Sequence, residues 1–346
     1  MKNNIISILI TLIFFNFIFS SSNYLVELCN KETVLIISHS ENADDVAQKL
    51  SDDFCINKFL FKMVMRLTGN DTNIKPGKYN LSAVNNMYDL VNVITSNEVV
   101  VMNDGVVVKN DIIEVTLLEG WNLKQIVDYL ANNKELNLDK ERLMELCFDL
   151  EFIKSLNLNH QSLEGFLYPN TYYLLQEYNE DEVLKIFVDE YKDVFRKQIS
   201  QIENNTKLSS YEIIILASII QAEGMYIDEM TLISSVYHNR LNKNMLLQAD
   251  PTILYYMQED DLRLFKEGKG SVFKRYKKMD NKYNTYKYKG LPIGPICSPS
   301  ANAIKAALLP EKSSYLYFFG NETGRHSFSL TYKEHLNKIN EYRKSK

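Results

Sequence analysis

Cysteine and histidine are sparse in this chain of 346 residues, four of the first and five of the second. Cys29, Cys55, Cys147 and Cys297 show no Cys-x-x-Cys spacing, and His39, His160, His238, His326 and His335 are scattered. Neither a metal-ligand set nor a redox motif can be assembled from them, and no cofactor is expected. The cysteines read as buried free thiols, with a disulfide as the alternative. A surplus of one charge is also missing. The 39 basic and 44 acidic side chains leave a net charge of −5, which gives no general affinity for nucleic acid or anionic lipid. The single tryptophan, Trp121, stands at the start of a helical pattern, where an indole is more often a packing anchor than a sugar platform.

What the chain does have is an apolar helix that ends on an acid. Ile213 to Glu223 is almost wholly hydrophobic, and Gly224 follows. A helix C-terminus presents unpaired carbonyls and a partial negative charge, and burial penalises a carboxylate further, so both effects raise the pKa of Glu223. A carboxyl kept protonated near neutral pH is a general acid. The competing reading has Glu223 at the helix edge, pointing into water. A second helix is expected over Glu229 to about Asn242 with Asp228 as its N-cap, carrying His238, Asn239 and Arg240. Asn239 and Arg240 read as braces of the helix pair, Arg240 by pairing with a carboxylate. Then come Met245 to Thr252 with Gln248 and Asp250, a basic tyrosine-rich loop, Tyr283-Asn284-Thr285-Tyr286, Gly290 to Pro299, and a helix from about Ala301 to Leu309. Amides, an Asp-Pro pair and clustered Gly/Pro turns in such quick succession describe a lined cleft better than plain core.

These motifs in this order resemble the endolytic murein transglycosylases, the YceG-like family. Upstream, Leu118-Glu119-Gly120-Trp121 and Leu163-Glu164-Gly165-Phe166 through Tyr172 fit the same pattern, and downstream so do Tyr315 to Phe319, Gly324 to Phe328 and His335. The match runs over about residues 33 to 343. The family often carries two glutamates at the helix end. Here Gln221 occupies the first position and Glu223 the second, which is the catalytic one in the family. Smaller departures are Gly224 and Ala249 for threonine, Asn170 for aspartate and Ser300 for glycine.

The resemblance implies an α+β fold with three parts: an N-terminal membrane anchor over residues 1–24, a small LysM-like module over 33–108, and a linker with a larger mixed catalytic domain over 109–346. The residues agree. Ile5 to Phe19 is apolar apart from Ser7, Thr11 and Asn16, short of the roughly 17 to 20 residues that cross hydrocarbon unless Ser20 to Tyr24 is included. A cleaved signal peptide competes with the anchor, but Phe19 to Asn23 has no clear Ala-x-Ala site. Either way the rest of the chain is exported, with Lys2 left on the cytoplasmic side of an anchor. Thr33 to Ile37 reads as a strand, Asn42 to Leu50 as a helix with Val46, Ala47 and Leu50 on one face, Lys75 to Tyr79 as a turn into a strand, and Met87 to Thr95 as a helix. Glycan contact and a spacer that packs on the catalytic domain are equal readings of that module.

The chemistry implied is peptidoglycan cleavage by one acid. Ordinary glycosidases need two carboxyls, about 5–5.5 Å apart for retention and about 6.5–9.5 Å for inversion. A lytic transglycosylase manages with one, because the substrate supplies its own nucleophile and yields a 1,6-anhydromuramic end. Gln248, Tyr283 and Asn284 are the candidates for holding the N-acetyl and hydroxyl groups, and Asp250 for placing negative charge near the oxocarbenium centre or, alternatively, for turning the chain before Pro251. Glu119 and Glu164 each precede a glycine, which favours a surface or capping role, although Glu164 lies in a family motif and is a candidate cleft residue. The Lys- and Tyr-rich stretch Lys266 to Lys289 is read as sugar-facing or solvated, and nucleic acid is excluded by export. Two other functions stay open: a non-catalytic peptidoglycan-binding scaffold, hinted by Gln221, and a hydrolase that uses Glu223 with Asp250. Glycan strands, the cell membrane and penicillin-binding synthases are the partners the resemblance implies.

Overall fold

The computed structural model describes residues 34–37, 41–70, 73–75, 77–96, 100–102, 105–107, 112–202, 204, 206–224 and 226–345. The expected anchor over 1–24 lies outside them, as does Cys29. Among the described residues no helix is long and apolar enough to cross a membrane. The architecture is mixed α+β, and the chain divides into two compact units. The first takes the chain through Val115 together with Glu135–Asn137 and Tyr172–Tyr178, and the second takes the remainder.

In the first unit, β1 (Val34–Ile37) alternates outward Val34 and Ile36 with inward Leu35 and Ile37. Asn42 caps α1 (Ala43–Phe54) in a reciprocal box with Asp45, and the helix buries Val46, Ala47, Leu50 and Phe54. Asn57 caps α2 (Lys58–Leu67), and β2 (Gly77–Asn80) returns antiparallel to β1 with Val34 opposite Asn80. The expected order of strand, helix, helix, strand is therefore present. Helix α3 (Met87–Thr95) closes one core with it, around Tyr79, Phe61, Leu50 and Met87, and the Tyr79 hydroxyl is satisfied by Lys75 O at 2.7 Å. Short strands β3 (Val100–Met102) and β4 (Gly105–Val107) pair with each other, and β5 (Ile112–Thr116) pairs with β6 (Thr171–Leu175). Cys55, the left-handed residue that ends α1, is disulfide-bonded, whereas Cys147 and Cys297 are the buried free thiols expected.

The second unit is mostly helical. Helices α4 (Leu123–Asn132), α5 (Lys140–Leu146), α6 (Leu150–Ser155) and α7 (Glu180–Val194) each begin at an Asn or Asp cap. At its centre runs α8 (Ser210–Glu223), started by a Ser209–Glu212 capping box and buried without a break from Ile213 to Ile220. A helix apolar on every side must be enclosed. Helix α9 (Ile227–Asn242), the short α10 (Asp250–Tyr255) and α13 (Ala301–Leu308) enclose it. Between the last two stand α11 (Glu259–Lys266) and α12 (Gly270–Tyr276), and a hairpin of β7 (Tyr317–Gly320) and β8 (His326–Ser329) leads to the final helix α14 (Tyr332–Lys344).

Two expectations are corrected here. Asp228 does not cap α9, which starts at Ile227 after Tyr226 without a side-chain cap; Asp228 sits in its first turn, bonded to Arg325. The Lys- and Tyr-rich stretch is not all loop, although most of its lysines are exposed, as the solvated reading has it. It contains α12, whose Val272, Phe273 and Tyr276 form a small core with Ile253 and Met257, and Lys277 lies over the rings of Phe273 and Tyr286 at 4.8 and 3.8 Å.

The segment from Ile293 to Ser300 lies along α8, and side chains of the helix bond to its main chain. Tyr211 reaches Ile293 O, Ser218 Oγ accepts from Ile296 N–H at 3.0 Å, and Gln221 Oε1 accepts from Ser300 N–H at 3.0 Å. Gly165 allows the close approach of this segment. Its φ is +83°, and a Cβ there would stand 2.7 Å from Pro295 Cβ.

Candidate active site

Glu223 is the last residue of α8, and Gly224 N–H closes the helix on Ile220 O at 2.9 Å. The side chain is half-buried and does not simply point into water. Its Oε1 accepts the Tyr237 hydroxyl of α9 at 2.8 Å. Crowding by protein is the largest influence on this carboxyl and pushes its pKa up to about 7. The Tyr237 hydrogen bond opposes that shift, the negative charge of Asp250 adds to it, and Arg240 opposes it again. The acid is therefore poised between its two protonation states near neutrality, as a group that first gives and then takes a proton must be.

Arg240 faces the same space but, among the described residues, pairs with no carboxylate, contrary to expectation. Its guanidinium donates to Leu316 O at 2.7 Å and to Leu247 O at 2.5 Å and lies 5.2 Å from the Tyr317 ring centre. It thereby fixes the chain before α10 and the β7 strand to α9, and its buried charge reaches Glu223 as a field. Asn239 braces as expected, donating to Ser313 O and Tyr315 O, both at 2.9 Å.

Gln248 and Asp250 bracket the start of α10. Gln248 is exposed with φ of +50°, a strained backbone for a residue with a side chain, held by its N–H to Thr285 O at 3.1 Å. Thr285 Oγ1 also accepts from Ala249 N–H at 3.0 Å and meets Thr252 Oγ1 at 2.9 Å. Asp250 is exposed, and its carboxylate takes the hydroxyl of Tyr286. Glu223, Tyr237, Arg240, Asp250 and Tyr286 thus form one electrostatic group.

Glu164 and Tyr283 belong to a second group. Glu164 is only 3% exposed, which removes the surface role but keeps the capping one. Its carboxylate accepts from Leu123 N–H, at the start of α4, at 3.2 and 3.3 Å, and Oε2 accepts the Tyr255 hydroxyl at 2.9 Å. Burial drives its pKa up to about 7 against those two bonds. Tyr283 is half-buried, with its ring 4.8 Å from that of Tyr255. Helix α10 joins the two groups, since Asp250 is its first residue and Tyr255 its last.

Asn284 departs from expectation. It is 1% exposed, its Nδ2 donates to Met279 O at 2.8 Å and Lys277 O at 3.1 Å, and its Oδ1 accepts from Tyr286 N–H at 3.0 Å. With both ends of the amide turned inward, it shapes the loop that presents Tyr283 and Tyr286. Trp121 packs edge-on against Tyr129 at 5.1 Å, as an anchor, and Glu119 is exposed. His326 is structural, with Nδ1 2.8 Å from Glu229 Oε2. Sequence reasoning missed Tyr237 and Tyr255. The one available signal was spacing, for Tyr237 and Arg240 share a helix face three residues apart.

A cavity of about 740 Å³ lies elsewhere, lined by Ser235, His238, Asn239 and Asn242 of α9 together with the segment after α13. At about 100° per residue these four lie on the face of α9 opposite Tyr237 and Arg240. No acid of the groups above lines it. Among the described residues no group of three or more His, Cys, Asp or Glu side chains is placed to hold a metal ion.

The fold and site define a mixed α+β protein built around an enclosed apolar helix that ends on an acid of raised pKa. The chain belongs to the YceG-like family, whose model matches residues 35–341. It is 31% identical over 250 residues to a Bacillus subtilis protein called endolytic murein transglycosylase, a match covering 67% of this chain and 66% of that one. A Streptococcus pneumoniae protein of the same designation is 27% identical over 299 residues, covering 80% of this chain and 52% of its own length. The matched region is thus just under two thirds of the first relative and about half of the second. A crystal structure of a yceG-like protein from Listeria monocytogenes superposes with a TM-score of 0.56 at 30% identity, covering 88% of this chain and 98% of that one.

Proposed function

We propose that this chain is an endolytic lytic transglycosylase acting on peptidoglycan, with Glu223 as its single acid and base. The observation that carries the reading is Glu223 itself, whose burial sets its pKa at about 7 and whose Oε1 is bonded to Tyr237. Protonated Glu223 gives its proton to the glycosidic oxygen between N-acetylmuramic acid and N-acetylglucosamine as the C1–O bond breaks. The resulting carboxylate then takes the proton of the muramic C6 hydroxyl as that oxygen bonds to C1. One bond is broken, one is formed, no water is consumed, and the product ends in 1,6-anhydromuramic acid.

Asp250, exposed beside Glu223's field, offers negative charge to the oxocarbenium-like centre, and Gln248 and Tyr283 are the proposed contacts for substrate amide and hydroxyl groups. The same coupling of Asp250 to Glu223 supports a second reading, a two-carboxylate hydrolase. Product mass spectrometry on purified peptidoglycan, with the wild type beside Glu223→Gln, separates the two. Internal fragments with anhydromuramic ends, lost in the variant, support the transglycosylase; reducing ends support the hydrolase; no cleavage by either protein argues for a binding role.

The family resemblance extends the proposal to cellular context. Residues 1–24 would anchor the chain in the cytoplasmic membrane with the remainder on the outer side, a placement that suits a disulfide at Cys55. The β1–α1–α2–β2 unit would be the LysM-like module. Cutting within nascent strands would end their elongation beside penicillin-binding synthases.

A further inference from the structure

We infer that Glu164 is a positioning residue for the acid. Through Tyr255 its carboxylate seats α10, and with it Asp250, against the end of α8. This rests on the reading of Glu223 given above.

Three observations carry the inference. Glu164 is a buried carboxylate without a cationic partner among the described residues, and its acceptors are used on the Leu123 and Gly165 N–H groups and the Tyr255 hydroxyl. Tyr255 is the last residue of a helix whose first residue is Asp250, and six residues make a rigid strut about 9 Å long. The strut's other end is held by Thr285 through Ala249 and Thr252. Ile253 in the small core and the Tyr286 hydroxyl on Asp250 hold the middle and the first residue of the helix, and the Glu164 bond ties down its last residue.

The two acids have different electrostatic neighbours. The titratable groups that interact with Glu164 are Tyr255, Tyr283, Cys147 and Cys297, all held neutral by burial. Those that face Glu223 are Tyr237 and Arg240 from α9, Asp250 from α10 and Tyr286 from the following loop, and Glu164 is not among them. The seat of α10 is the route to the acid that the hydrogen bonds provide.

Tyr255→Phe tests this, because it removes one hydroxyl and keeps the ring. Two readouts serve: the pH profile of kcat/KM, and an NMR titration of isotope-labelled Glu223 carboxyl, which needs no substrate. Loosening α10 spreads Asp250 over longer distances and weakens the charge that keeps Glu223 protonated. The expected result is a basic limb and a Glu223 midpoint shifted to lower pH in Tyr255→Phe, a shift of the same sign in Asp250→Asn, and no further shift when the two are combined. Glu164→Gln, which keeps one acceptor, should shift the midpoint less than Glu164→Ala. If Glu164→Ala does not fold, Tyr255→Phe and Glu164→Gln carry the comparison. A folded Tyr255→Phe with an unmoved midpoint, or a double variant whose shifts simply add, overturns the inference. A chain that cuts no glycan yet shows the midpoint shift retains the positioning role and loses the transglycosylase reading instead.

Discussion

The Tyr237 hydroxyl donates to Glu223 Oε1 at 2.8 Å across the α8–α9 contact, and it is the one hydrogen bond to that carboxyl among the described residues. A donor stabilises the ionised acid, while burial and Asp250 favour the protonated one, so the working pKa near 7 is a balance of opposed influences.

That balance has a testable sign. Glu223 must be protonated to act as an acid, so cleavage should fall as pH rises past about 7. Tyr237→Phe removes the larger of the two influences that lower the pKa, so its basic limb should move to higher pH. A Tyr237→Phe profile that moves the other way, measured as kcat/KM against pH, would show that the phenol does not serve Glu223 in the ionised state.

Gln221 holds Ser300 N–H at 3.0 Å, the N-cap of α13. Gln221→Glu restores the family's usual residue and keeps an acceptor for that N–H. The fold should survive with a stability change within about 1 kcal/mol, the ordinary scale of one hydrogen bond. A second negative charge at the helix end should also raise the Glu223 midpoint. NMR titration of the variant checks this, and an unchanged midpoint would mean that residue 221 acts through packing alone.

Asn284 organises its loop from inside. Asn284→Ala strands several backbone carbonyls, each lost partner costing about 1–3 kcal/mol where the group stays buried. The thermal midpoint should drop clearly, with kcat and KM failing together as the loop loosens. A variant of native stability with a raised KM alone would instead return Asn284 to the substrate.

Gly165 and Gly69 both have positive φ, but only Gly165 is crowded, by Pro295 and Ile214. Gly69→Ala should destabilise by about 1 kcal/mol through backbone strain alone. Gly165→Ala should cost distinctly more, because the segment beside α8 must shift. Comparable denaturation midpoints for the two variants would contradict the close packing described here.

Much of this molecule was legible along the chain because the signals are local. The helix that begins at Asn42 was legible in this way, its cap side chain meeting amides two and three residues ahead, whereas the caps at Asn57, Asn122 and Ser209 emerged only with the structure. The unbroken apolar run from Ile213 could only belong to an enclosed helix, and its terminal acid stood out for that reason. Where a local signal had two physical meanings the reading went astray. Asp228 has the side chain of a cap but is used for Arg325, and Asn284 has the amide of a sugar ligand but is used for three carbonyls of its own loop.

The sequence by itself carried the apolar helix that ends at Glu223 and the series of motifs that mark the family, and through that resemblance the α+β class, since capping, periodicity and the apolar pattern of a helix depend on neighbours within a few turns. Tertiary structure decided the rest. Only folding brings Tyr237 to Glu223, turns Arg240 toward backbone carbonyls and buries Glu164 at the start of α4 with Tyr255. A carboxyl's pKa and partners depend on what packs against it, and those groups come from up to 91 residues away in the chain.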